Sequence, residues 1–153
     1  MATSGPTYID RLERFFRHAA ELELDKDDLR RHADFIHRKT HDLLLRGEAN
    51  ARANGRDVIE PQDLPITKGL QECMQATRRI DDPQLSLEPI LEALTQLPPL
   101  KLAYGEATTA KLPEIVGGLS YALAKTFKII DPKLKHPHSQ HWEAAFQLFD
   151  LLL

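Results

Sequence analysis

Seven histidines, one cysteine and 20 lysines and arginines are the residues of this sequence whose chemistry could matter, and their spacing limits what they can do. His37 and His41 stand four apart, a spacing that lets two imidazoles on one helix face share a metal ion. The run His37-Arg38-Lys39-Thr40-His41 invites comparison with the zinc-protease motif. That mechanism requires a glutamate general base directly after the first histidine, and Arg38 stands there instead, so both are expected to be surface histidines. His136, His138 and His141 cluster near the start of a predicted terminal helix. Without cysteines nearby a closed zinc site is not expected, and helix-end hydrogen bonding or exposure is, with a pH-responsive loop as an alternative. Cys73 has no second cysteine and sits in an apolar-periodic segment, so it reads as a buried thiol. Ser86 and Ser139 read as helix caps or turns and lack the strained setting of a nucleophile. No glycine-rich phosphate loop follows a strand. Neither an enzyme nor a metal, cofactor or small-molecule substrate is expected.

The remaining chemistry is cationic. Arg11, Arg14, Arg17 and His18 form a stripe at helical spacing, and Arg30 and Arg31 lie together further on. Arg52, Arg56, Lys101, Lys133 and Lys135 are candidates for contact with nucleic-acid phosphates. The competing reading is a solvated helix face laced with salt bridges. Net charge is −3 with a pI near 6.2, which works against non-specific attraction to a polyanion. Lysines and arginines balance aspartates and glutamates at 14 each over residues 1–80, and fall short at 6 against 9 over 81–153. No aromatic residues interleave with the cations, so a single-strand stacking platform is not expected.

The elements that would position these residues are helical. The composition, 42% apolar and 28% charged, is that of one globular domain spanning 1–153. Apolar runs are too short for a membrane span. Met1 to Tyr8 show no basic segment followed by an apolar stretch, so a cytoplasmic protein is expected. After Gly5-Pro6-Thr7, read as the end of a disordered leader, Ile9, Leu12, Phe15, Phe16 and Ala19 recur as a short amphipathic helix. Asp25 is the expected cap of a helix of about 29 residues, a rod of over 40 Å, which ends at Asn54-Gly55 and is read as the centrepiece. Val58 and Ile59 are a brief extended piece, and Pro61 opens a third helix carrying Leu64, Ile66, Leu70 and Met74. The pattern then repeats. Leu87 to Leu97 form a short helix, Thr108 to Ile130 a long one, and Ser139 caps a last helix through Leu153 that buries Trp142, Phe146 and Phe149. Pro113 either kinks the second long helix or marks its true start. The Gly117-Gly118 pair implies a closely crossing helix there, with the first long helix the natural partner.

A short, a long and a short helix with a brief extended piece at each junction resembles the histone fold. The stretch Arg56-Asp57-Val58-Ile59-Glu60-Pro61-Gln62-Asp63-Leu64 is similar to the histone segment that leads from the second loop into the third helix. The whole chain resembles an uncharacterised bacterial family of single-chain histone-fold doublets, a domain of unknown function related to archaeal histones. That likeness rests on Phe15-Phe16, on Asp25-Lys26-Asp27-Asp28-Leu29, on the run from Ala53 to Pro61, on Leu64-Pro65-Ile66-Thr67-Lys68-Gly69-Leu70, on the run from Leu112 to Leu119, and on Phe127-Lys128-Ile129-Ile130-Asp131-Pro132.

The resemblance implies an all-α fold of two histone-fold halves, 8–80 and 86–153, paired within one chain as an intramolecular pseudo-dimer and otherwise monomeric. It implies a structural clamp in which Arg56 forks onto Asp63. The second half lacks it, since His141 and Leu134 stand at the corresponding positions, so its loop must be held differently. It also implies that the loops pair across the halves, Arg52 and Arg56 beside Lys101, and Lys133 and Lys135 beside Glu21, Glu23 and Asp25. The implied partner is double-stranded DNA, bound weakly by those loops and the first helix, or alternatively another protein in an assembly without nucleic acid.

Overall fold

The computed structural model describes residues 4–153, and these form an all-α fold of six helices with two two-residue strands. Helix α1 spans Ser4–Ala20. It takes in Gly5, Pro6 and Thr7, which sequence reading assigned to a leader, because proline needs no hydrogen-bond acceptor in a first helical turn. The rest of that leader, Met1 to Thr3, lies outside the described residues. Glu21, at φ 54°, ends α1 in the left-handed region, and the amide of Leu22 reaches back to the Phe16 carbonyl at 3.3 Å, the closure that satisfies a helix's last carbonyls.

Helix α2 spans Lys26–Ala53, opened by a capping box in which Asp25 and Asp28 each accept the other's backbone N–H and closed at Asn54 before Gly55 turns at φ 72°. Strand β1 (Val58–Ile59) leads into a 3-10 turn, Pro61–Asp63. The third helix does not continue from Pro61 as expected. Pro65 disfavours a helical Leu64, which is extended at ψ 134°, and α3 runs only over Lys68–Ile80, capped by the Thr67 hydroxyl.

Helix α4 (Glu88–Leu94) is shorter than the Leu87 to Leu97 expected. Thr95 folds its hydroxyl back onto the Leu91 carbonyl, and Pro98-Pro99 blocks any restart. Strand β2 (Ala103–Tyr104) precedes α5, Glu106–Ile130, which contains Pro113 as an interior residue rather than as its start. Helix α6 spans Ser139–Leu152. Its cap is His138, not Ser139, and the His141 ring accepts the His138 amide at 2.9 Å.

The hub is α5 rather than α2. Ile115 through Ser120 are six consecutive buried residues, so this stretch is enclosed on all sides, and α1, α2, α3, α4 and α6 all pack on α5. Gly117 and Gly118 make room for α3 and α4, not for α2 as expected. A methyl at Gly117 would meet Thr77 Cγ2 at 2.9 Å and Leu91 Cδ1 at 3.1 Å, and one at Gly118 would press into Met74. Thr77 donates its hydroxyl to the Gly117 carbonyl at 3.0 Å in the same crossing. Helix α6 lies along the first half of α2, joined by Phe35 stacking on Phe146 and edge-on to Phe149. Trp142 is buried against Phe127, and Phe146 is partly exposed. No helix among the described residues is long and apolar enough to cross a membrane.

Candidate functional site at the paired loops

Two loop junctions lie at opposite ends of α2 and α5. At the first, β1 and β2 pair in parallel, Val58 with Ala103 and Ile59 with Tyr104. Thr108 of α5 donates to the Ile59 carbonyl at 2.7 Å, and the Leu102 amide donates to the Glu48 carboxylate at 2.9 Å. The loop of Arg56 is thereby brought against that of Lys101. Arg56 meets Asp63 through two hydrogen bonds, 2.5 and 2.6 Å, while Asp63 also accepts the Glu60 amide at 2.8 Å. Hydrogen bonding to Arg56 holds the Asp63 carboxyl below the usual carboxylate range and raises Arg56. Arg52 and Lys101 are exposed.

Charge at this junction does not favour an anion. The first turn of a long helix attracts negative groups through its free N–H groups and dipole, and α5 has no side-chain cap at Gly105. The Glu60 carboxylate lies directly over Gly105, so close that a methyl there would collide with it. Asp57 and Glu106 add exposed negative charge beside it. The start of α2 is likewise filled by the carboxylates of Asp25 and Asp28.

At the second junction the Glu23 amide donates to the Lys135 carbonyl at 2.7 Å, and His136 faces Glu23 at 3.0 Å. The loop here is held without an arginine clamp. Lys128 donates to the Leu134 carbonyl at 2.5 Å, the Asp131 carboxylate accepts the Lys133 amide at 3.2 Å, and the buried His141 stands 3.8 Å from Asp131. Lys133 and Lys135 are exposed, as are Arg14 and Arg17 on α1, whereas Arg11 is half-buried. None of these five forms an ion pair among the described residues. Lys125 and Lys128 of α5 border the same cavity as His18 and Glu21, cations that sequence reading did not assign to this end.

The other candidates separate. Arg30 pairs with Asp27, and Arg31 donates to the Ser139 hydroxyl at 3.0 Å. His37 and His41 are half-buried rather than fully on the surface. Cys73 is partly buried, which pushes its thiol up from its ordinary range. Among the described residues no group of three or more histidine, cysteine or carboxylate side chains is placed to hold a metal ion.

Sequence reading missed three buried polar residues of α2. His32 is fully buried, with Nε2 2.8 Å from Ser120 Oγ. Because that hydroxyl gives its one proton to the Val116 carbonyl, His32 donates from Nε2 and leaves Nδ1 as a buried acceptor without a partner among the described residues. Asp28 accepts the Trp142 indole N–H at 2.9 Å. Lys39 is buried and bonds Asp150 at 2.5 Å and Asp42 at 3.1 Å. Their partners stand 88, 114 and 111 residues away; the available signal was their position on the apolar face of α2, in line with Phe35 and Ile36.

A second surface feature is apolar. The ends of α5 and α6 and the start of α3 enclose a groove of about 490 Å³, walled by Leu70, Ala122, Ile129, Leu148 and Leu152. Ile129, Leu151 and Leu152 are 79%, 80% and 73% exposed.

Six helices gathered on α5, with loops paired at both ends, define a small all-α domain. Residues 12–150 match the family described as Domain of unknown function (DUF1931), and the chain belongs to that family. A solved structure from Thermus thermophilus is 49% identical, with a TM-score of 0.82 over 95% of this chain and 97% of that one. A protein of Aquifex aeolicus, solved at 1.9 Å, is 25% identical with a TM-score of 0.83 over 100% of both chains. An uncharacterized protein of Aquifex aeolicus is 28% identical over 95% of this chain and 84% of its own length.

Proposed function

We propose that the chain is a non-enzymatic, single-chain histone-fold doublet that acts as a protein-interaction module in the cytoplasm. The doublet reading is supported by the short, long, short order of α1 to α3 and of α4 to α6, by loops that pair across the two portions at both ends, and by the Arg56–Asp63 fork. One contrast carries the choice of protein over nucleic acid. The helix starts beside the loops already face the chain's own carboxylates, Glu60 at α5 and Asp25 with Asp28 at α2, while large apolar side chains stand exposed at the ends of α5 and α6.

Duplex DNA is the second reading, favoured by Arg14, Arg17, Lys133 and Lys135, which are exposed and form no ion pair among the described residues. Fluorescence anisotropy of a labelled duplex, titrated with protein from low to physiological salt, separates the two. The protein-module reading expects no saturable rise even at low salt. A saturable rise that weakens steeply with salt, and is reduced by combined Lys133→Ala and Lys135→Ala, would overturn it.

A further inference from the structure

We propose that His141 is a proton-driven switch at the start of α6: the neutral ring caps the helix, and the protonated ring leaves the cap for Asp131.

Helix α6 opens at His138 without a side-chain cap from that residue. The His138 amide donates instead to His141 Nδ1 at 2.9 Å, so a ring nitrogen three residues on stands where a capping box has glutamate or glutamine. Those side chains accept a hydrogen bond throughout the neutral range, whereas an imidazole nitrogen accepts only while it carries no proton. The bond to Nδ1 therefore fixes the tautomer. The proton of the neutral ring sits on Nε2, which faces Asp131 Oδ2 at 3.8 Å, too far for a hydrogen bond. A second proton has to go onto Nδ1, where it meets the His138 N–H head-on. The cation so formed stands beside a carboxylate within reach of a small ring movement. Protonation thus removes the cap and offers a charge-assisted bond in its place.

The surroundings confine the change to one place. Besides Asp131, the ring of His138 lies 5.6 Å from that of His141. From α2, Asp28 and Arg31 reach this turn but are engaged by the Trp142 indole and the Ser139 hydroxyl, and Lys128 of α5 is engaged by the Leu134 carbonyl. The preceding loop is tied down independently of His141. The Glu23 amide holds the Lys135 carbonyl, and His136 faces Glu23 at 3.0 Å, a contact that protonation strengthens. Acid therefore tightens the loop at Lys135 and His136 and loosens His138 with the first turn of α6.

Amide hydrogen exchange, read as protection factors from about pH 7.5 to about pH 5.5, covers the interval over which imidazoles take up protons. The full chain is compared with His141→Gln, whose side-chain oxygen accepts the same N–H and does not titrate. The His141 and Trp142 amides both donate to the His138 carbonyl. In the wild type their protection should fall about fivefold relative to that of Leu119 in α5, the loss expected for one capping bond. In His141→Gln it should stay level. Asp131→Asn keeps an acceptor for the Lys133 amide but offers the cation no charge, so it should move the fall to lower pH. Three results overturn the proposal: level protection in the wild type, a fall that Asp131→Asn leaves at the same pH, or a fall that persists in His141→Gln. The last would trace the response to Asp28, whose carboxyl is raised by burial.

Discussion

His32 shows how a single side chain couples the portions of the chain. It sits at 0% exposure between Phe16, whose ring meets it edge-on at 5.0 Å, and Ser120 of α5. Burial disfavours its cation and draws its pKa from 6.5 to about 3. The unfolded chain then binds a proton that the folded chain refuses as pH drops below 6.5, so stability contributed by the neutral ring is complete above 6.5 and lost toward pH 3. The slope is about 1.4 kcal/mol per pH unit for one such group. Asp63 and Asp150 are shifted down by their hydrogen bonds to Arg56 and Lys39, so their contributions are lost only below about 3.8 and do not overlap the upper part of that window. Urea unfolding at pH 7 and pH 5 should show a drop in the wild type that His32→Leu diminishes; equal pH dependence in the two proteins would contradict this role. Residues of this kind were not legible in the sequence. The Arg56–Asp63 fork was implied by the likeness of the Arg56 to Leu64 stretch to a histone segment, whereas nothing near His32 points to Ser120.

Helix boundaries were legible wherever a local signal set them. Asp25 and Asn54-Gly55 bracket α2 as expected, since capping and a left-handed glycine act within a turn of their own position. The error fell where two local signals competed, since Pro61 announced a helix start that Pro65 cancelled. Of the two readings left open for Pro113 the structure has the interior one, inside an α5 held by packing on several sides. The glycine pair was read correctly as a crossing and assigned the wrong neighbour, because periodicity gives the close face of α5 but not which helix arrives there. Gly118 makes that crossing testable. In an exposed helix, alanine in place of glycine stabilises by about 1 kcal/mol. Here the added methyl would press on Met74 Cγ and stand 3.1 Å from the Met74 backbone nitrogen, which cannot rotate away, and overpacking costs about 1–3 kcal/mol. Gly118→Ala should lower the urea midpoint, and a raised midpoint would mean that α3 does not sit on α5 as described.

At the scale of the molecule, neither of the stretches 8–80 and 86–153 encloses its own apolar face. Leu70, Met74 and Thr77 of α3 close onto Gly117 and Gly118 of α5, and Phe35 of α2 is covered by Phe146 and Phe149 of α6. Such an exchange predicts that the two stretches unfold as one unit, and it leaves large apolar side chains exposed at the ends of α5 and α6. Native-state hydrogen exchange in rising urea measures this most directly. Amides of α3 around Met74 and of α5 around Leu119 should converge on one isotherm with a common opening free energy. Were the α3 amides to open in a separate transition at lower urea while α5 stayed protected, the two stretches would be independent units and the mutual enclosure described here would be wrong.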